Sequence, residues 1–449
     1  VTEFAVLDGA ESYLLANATV LPVLVEGAGL KPDDRGLARV DIRIDGATIT
    51  RIDPSRPRNN ALGADPATVV DLDAGMILPT LVDSHVHLDK GHIWPRHANA
   101  DGTFPSALQT VSQDRIANWS AEDVRARMDF ALRCAYAHGT SLIRTHIDSL
   151  PPQDEITWPV LCEVIEDWSD RLSLHGSCLF GIDRLDSDDG FLQRIANRIK
   201  ATDGVLGAVT YMVPRLDEHL DTIMQAADER GLDLDFHVDE TSSPDARSLA
   251  RIAEAALRNR YSGNILCGHC CSLACQDEAE ADRTMDLVAR AGIAVVSLPM
   301  CNMYLQGRRN PGETPDTPRW RGITLLHELK RRGVRVMVAS DNTRDPFYAY
   351  GDLDMVEVFT QATRIAHLDH PASDWIRSVT TTPADVLRHP DKGRLRVGGG
   401  ADFIAFRGRD LFEIMARPSA PRDVFRNGRL IPRILPDYRE LDALMGEVS

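Results

Sequence analysis

Polar and apolar positions follow one repeated order between about residues 77 and 341: amphipathic stretch, glycine, short apolar run. "SAEDVRARMDFALRCAYAHG" opens on Ser120, a good N-cap with Asp123 three residues on, and closes on Gly139, a residue type suited to C′. The run "TSLIRTHID" follows it. "DEHLDTIMQAADERG" ends at Gly231 before "LDLDFHVDE", "DEAEADRTMDLVARAG" at Gly292 before "IAVVSLPM", and "TLLHELKRRG" at Gly333 before "VRVMVASD". In the third of these helices Met285, Leu287 and Val288 supply an apolar face at helical spacing. Eight strands are predicted, at 77–87, 140–148, 172–180, 205–213, 232–238, 264–269, 293–299 and 334–341. Strands alternating with helices imply a parallel sheet, and eight such units predict a closed (β/α)8 barrel. The alternative is an open doubly wound sheet, but no Gly-rich dinucleotide fingerprint follows the first strand.

The ends of the chain read differently. Residues 18–76 hold short alternating segments such as "ARVDIRIDG" and "ATITRID"; residues 393–449 hold "GADFIAFRG" and "DVFRNGRLI". Neither end carries enough apolar positions to bury a core alone. They predict one small β-sandwich built from 1–76 and 393–449, beside a barrel at 77–392. The loop 301–322 is long and polar, as functional βα loops often are.

Composition narrows the function. The 449 residues, 43% hydrophobic and 26% charged, suit one large core with an accessory domain. A net charge of −17 argues against a nucleic-acid partner. The opening stretch lacks a basic n-region and a continuous apolar core, and no apolar run reaches spanning length. Neither a signal peptide nor a membrane partner is therefore expected. Eight cysteines in so long a chain fit reduced thiols in a cytoplasm better than a disulfide scaffold.

Barrel enzymes place their chemistry at the C-terminal ends of the strands. Those ends carry His85 and His87, His146, His237 with Glu240, His269, and Asp341. Five of the 14 histidines fall there, whereas chance would scatter them into helices and loops too. His85 and His87, two apart, share one face of a strand. Three imidazoles and one carboxylate suit a divalent Zn or Fe ion and leave positions open for water, which can then ionise near neutral pH. Glu240, three residues after His237, is placed to act as general acid/base. Asp341 can ligate the metal or accept a proton from water, and His269 can polarise an electrophilic carbon or stabilise developing charge. Each has a plain alternative: His146 as a hydrogen-bonded core histidine, Glu240 as a solvated loop carboxylate, Asp341 as a helix N-cap. "CGHCCSLAC" contains a CxxC, but no second CxxC stands at zinc-ribbon spacing, and small thiols packing at a strand end explain it better. The H-x-E…P-C-x-x-C signature of small nucleoside deaminases is absent.

At these residues the chain resembles the amidohydrolase superfamily, in its cytosine deaminase-like branch. The matching pieces are "HVHLDK", "RTHID", "HVDE", the His269 strand end, "NMYLQGR", "ASDNTRDPFYAYG" and "GADFIAF…VFRNGRLI". The resemblance implies a distorted (β/α)8 TIM barrel with a β-sandwich from both termini. It implies one divalent metal on His85, His87, His237 and Asp341, with Glu240, His269 and Asp341 catalytic. Some superfamily members bridge two metals with a carbamylated lysine on strand four; "VLGAVTYMV" has none. The implied reaction is hydrolytic deamination of an amino-substituted nitrogen heterocycle, releasing ammonia, by a cytoplasmic homo-oligomer.

The substrate side departs from cytosine deaminases. Leu179 stands where they hold a glutamine, Asn342 replaces a second aspartate, and Phe347 replaces a tryptophan. These changes count against cytosine itself and leave a pterin, isoguanine, creatinine, a cytosine-type compound or another amino-heterocycle as the substrate. Gln306 is the candidate to take over the lost amide contact, and His146 completes the expected substrate-binding set. Alternatives of the same fold are a hydrolase of a cyclic amide, lactone or N-alkylamino-triazine, or a non-catalytic barrel. Ammonia release separates these.

Overall fold

The computed structural model describes residues 3–7, 10–55, 68–187, 189–309 and 312–446. Two compact units divide the chain: Val1–Val82, Ala135–Leu142 and Asp354–Leu435 form one; Asp83–Cys134, Ile143–Leu353 and Pro436–Ser449 form the other.

The architecture is α/β with parallel strands. Leu206–Thr210, Leu234–Val238, Ile265–His269, Ala294–Ser297 and Val336–Val338 pair in that order, all parallel. Leu81–Val86, Thr140–Asp148 and Ser173–Leu179 form a three-stranded sheet. Parallel bridges join Ser177 to Val205 and Val86 to Asp341. Nearly every residue of these strands is buried, the pattern of a parallel sheet covered on both faces.

The predicted strand 77–87 is two strands. Ile77–Pro79 pairs antiparallel with Phe403–Phe406, and only Leu81–Val86 joins the parallel set. Pro79 has no N–H with which to continue a ladder, so the chain changes sheets there.

Two of the helices between the strands start at polar capping residues. Ser120 Oγ accepts from the Asp123 amide at 3.2 Å ahead of helix Ala121–His138. That helix stops at Gly139, where φ is +99° and a Cβ would stand 2.5 Å from Ile404 Cδ1. Asp277 caps Glu278–Arg290 through the Glu280 amide at 3.0 Å. No described helix is long and apolar enough to cross a membrane.

The first unit contains a four-stranded sheet from Ser12–Val20, Ala38–Asp45, Thr48–Pro54 and Thr68–Asp71. A second four-stranded sheet combines Ile77–Pro79 with Phe403–Phe406, Arg422–Arg426 and Arg429–Ile431. Leu15, Ile42 and Ile44 of the first share one apolar core with Ile77, Phe403 and Phe425 of the second. Burying such side chains stabilises the unit by about 1.5–3 kcal/mol each. Residues from both chain ends thus supply the core that neither supplies alone.

Candidate active site

Every group of the site lies in the second compact unit. The Asp341 amide donates to the His85 carbonyl at 2.8 Å, and the Ser340 amide to Asp83 Oδ1 at 3.1 Å. These two bonds hold the Asp341 carboxylate beside the two histidines that end Leu81–Val86. His237 arrives from the strand Leu234–Val238. His237 Nε2 lies 3.1 Å from both His85 Nε2 and His87 Nε2. Asp341 Oδ1 lies 3.6 Å from His85 Nε2 and 3.3 Å from His87 Nε2.

Each of these four donor atoms thus has two others within 3.1–3.6 Å. Donors at bond lengths of about 2.0–2.2 Å on a tetrahedral ion stand about 3.3–3.6 Å apart, so the spacing fits one divalent metal. Both Asp341 oxygens are buried with no hydrogen-bond partner among the described residues, as are the Nδ1 atoms of His85, His87 and His237. Carboxylate oxygens buried without a partner are costly unless something binds them, whereas the Nδ1 atoms carry the ring hydrogens when Nε2 is the ligating atom. Burial, more than any neighbour, pushes all three imidazoles well below their usual pKa, which keeps them in the neutral form that ligates metal. Burial pushes Asp341 the other way, up to about 8, and a cation held here would be the countercharge that keeps it a carboxylate.

Glu240 follows His237 by three residues, just past the strand. Burial first, then the Asp341 charge, pushes its carboxyl well above the ordinary range, which favours the protonated acid. His269 ends Ile265–His269, with Nδ1 3.5 Å from Glu240 Oε1. Between them stands Asn302 of the "NMYLQGR" stretch, to which sequence pattern alone assigns no role. Its Nδ2 donates to Glu240 Oε1 at 2.9 Å and to His269 Nδ1 at 3.0 Å.

A cavity of about 670 Å³ opens over this centre. His87, His237, Glu240, His269 and Asp341 line it, and so do Leu179, Gln306, Asn342 and Phe347. Gln306 Nε2 donates to the Glu240 carbonyl at 3.2 Å. Asn342 Nδ2 donates to Asp345 Oδ2 at 2.7 Å, so its amide is already engaged. His146 does not line the cavity: it is fully buried, its ring 3.9 Å from that of His85, and neither ring nitrogen has a hydrogen-bond partner among the described residues. Lys90, the last residue of "HVHLDK", also lines the cavity, with Nζ 2.8 Å from Asp148 Oδ1. Phe104, Leu108, Val111 and Phe180 complete largely apolar walls suited to a flat aromatic ring.

The cysteine cluster packs rather than ligates. Cys267, Cys270 and Cys271 are buried, burial pushes their thiols upward, and Cys271 Sγ donates to the Gly322 carbonyl at 3.1 Å.

Strand-end histidines and two carboxyl groups over one cavity define a class, and comparison with known sequences agrees. The amidohydrolase family profile matches residues 198–432, and the chain belongs to this metal-dependent family. Among curated relatives, the pterin deaminase of Rhizobium rhizogenes strain K84 is 52% identical over 97% of this chain and 98% of its own length. The N-isopropylammelide isopropyl amidohydrolase of Pseudomonas sp. strain ADP is 22% identical over 81% of this chain and 87% of its own. Among solved structures, 5-methylcytosine deaminase from Klebsiella pneumoniae superposes with a TM-score of 0.79, covering 93% of this chain and 97% of its own at 23% identity. That likeness supports the TIM-barrel-like fold.

Proposed function

We propose that this chain is a hydrolytic deaminase of pterins that uses one divalent metal, zinc or iron, held by His85, His87, His237 and Asp341. Hydrolysis of a non-peptide carbon–nitrogen bond, releasing ammonia from an amino-substituted heterocycle, fits the family, the relatives and the site. The observation that carries the substrate is the 52% identity, over nearly the full length of both chains, to a protein named pterin deaminase. The apolar slot supports it, and so does Leu179, which cannot offer the paired donor and acceptor of an amide.

When bound, the ion supplies Lewis acidity, which makes water acidic enough to yield a nucleophile near neutral pH. The chain's own groups do the rest. Glu240, kept protonated by burial, donates to a ring nitrogen beside the amino-bearing carbon, which makes that carbon more electrophilic. Asp341 takes a proton from the attacking water and passes it towards the departing amine, so the products are a ring carbonyl and ammonia. His269 Nε2 stabilises the charge that develops on oxygen. Leu179, Phe347, Asn342 and Gln306 border the space for the ring, while His146 packs its ring 3.9 Å from that of His85.

The finer architecture belongs to the same reading: a distorted (β/α)8 barrel at 77–392, with a β-sandwich from 1–76 and 393–449, in a cytoplasmic homo-oligomer acting on small molecules. The bridges at Ser177 and Val86 and the core shared by the two chain ends support it.

The test is kcat/KM for pterin against cytosine, isoguanine and creatinine under one set of conditions. Pterin is expected to lead by a large factor. If cytosine leads, the argument from Leu179 fails; if only an N-alkylamino-triazine releases its amine, the family holds and the substrate does not.

A further inference from the structure

Asn302 is fully buried, on the short helix Pro299–Leu305 that follows the seventh parallel strand. Its amide nitrogen meets two groups of the proposed reaction at once, Glu240 Oε1 at 2.9 Å and His269 Nδ1 at 3.0 Å. We propose that Asn302 is a positioning residue that sets where both groups carry their protons. It holds His269 with its hydrogen on Nε2, and it occupies Glu240 Oε1 so that the transferable proton rides on Oε2.

An amide nitrogen has two hydrogens and no lone pair to offer. Spending one on each neighbour requires His269 Nδ1 to present its lone pair, so the neutral ring carries its hydrogen on Nε2. Nε2 is buried and has no hydrogen-bond partner among the described residues, and the residue lines the cavity. That N–H is free for a substrate oxygen. The same amide fills the acceptor position on Oε1. Turned over, the amide would place Asn302 Oδ1 against Glu240 Oε1 and His269 Nδ1 and would demand a hydrogen on each, so the two orientations require opposite tautomers of His269, which the spectra below distinguish.

The backbone holds the amide in place. The Asn302 amide donates to the Leu298 carbonyl at 3.0 Å, and the Gln306 amide to the Asn302 carbonyl at 2.8 Å. Positions 302 and 306 therefore share one helix face. From that face Gln306 holds the Glu240 backbone at 3.2 Å while Asn302 holds its side chain. Gly322 closes on the other side, where a Cβ would stand 2.9 Å from Asn302 Cβ.

The inference rests on the roles given to Glu240 and His269, and two variants distinguish it from packing alone. Asn302→Asp keeps the shape but replaces the donor by acceptors, which demands a hydrogen on His269 Nδ1 and opposes the Glu240 carboxylate. Asn302→Ala removes the group. The proposal expects kcat to fall about 10²-fold in Asn302→Ala and further in Asn302→Asp, with KM and metal content near wild type in both. A packing role predicts the reverse order, because the isosteric variant would be tolerated. If Asn302→Ala loses its metal, Asn302→Ser takes its place in the comparison. Long-range 15N–1H spectra of histidine-labelled, zinc-loaded protein read the tautomer without turnover, with His269→Gln assigning the resonance. A hydrogen on Nε2 in wild type and on Nδ1 in Asn302→Asp is expected. A wild-type ring protonated on Nδ1, or near-normal kcat in Asn302→Asp, overturns the proposal. Wild type that releases no ammonia from pterin overturns the substrate reading instead, while the spectra still decide this one.

Discussion

Glu240 combines a depth that favours the protonated acid with an Asn302 bond that favours the carboxylate, and a group balanced this way can give and retake a proton. Glu240→Gln keeps the Asn302 contact and removes the proton. It is expected to lower kcat by about 10²–10⁴-fold with metal content unchanged, checked by ammonia release beside elemental analysis. His92 allows a second test at this scale. Burial pushes its imidazole down to about 3, with Asp352, Arg344 and Arg127 around it. Between pH 6.5 and that value the unfolded chain binds a proton that the folded chain refuses, so the His92 contribution is full above pH 6.5 and is lost as pH falls. Urea midpoints should show wild type losing ground to His92→Gln steadily below pH 6.5; a constant difference would contradict the assignment. The proposed metal ligands and Glu240 were legible as a set because strand ends repeat and their chemistry stands out there. The part Asn302 plays was not, because it arises only when residues 33 and 62 positions away in the chain meet its side chain.

At the scale of elements, one carboxylate links strand, loop and helix. Asp239 follows Leu234–Val238 with φ +47°, and its carboxylate accepts from the first two amides of helix Ser248–Asn259, Ser248 at 3.1 Å and Leu249 at 3.0 Å. The residue that satisfies the helix N-terminus therefore also sets the turn on which Glu240 stands. Asp239→Ala is expected to cost about 0.5–2 kcal/mol of stability, as cap losses do, and to lower kcat through Glu240. Denaturant midpoints and turnover measured together check it; loss of stability with normal kcat would separate the cap from the catalytic loop. Periodicity and caps sufficed for helices such as Ala121–His138, where Ser120 and Gly139 bracket the turn signals. They did not suffice for the run 77–87, since Ile77–Pro79 and Leu81–Val86 are equally apolar and only pairing assigns them to different sheets.

For the whole molecule, the repeating helix–glycine–strand order was enough to predict an α/β fold with parallel strands. The shared core of the two chain ends was legible only as a deficit: neither Ala38–Asp45 nor Phe403–Phe406 has enough apolar neighbours in sequence to be covered. What the molecule does depends on whether its four converging donors hold an ion that the chemistry needs. The most direct test follows ammonia release from pterin by the protein as purified, after chelation, and after zinc is restored, with metal content measured at each stage. The account predicts one equivalent of metal per chain, ammonia formed mole for mole with pterin consumed, loss of activity with the metal and recovery with zinc. Ammonia release that survives complete removal of metal, or a fully loaded protein that leaves pterin untouched, would contradict it.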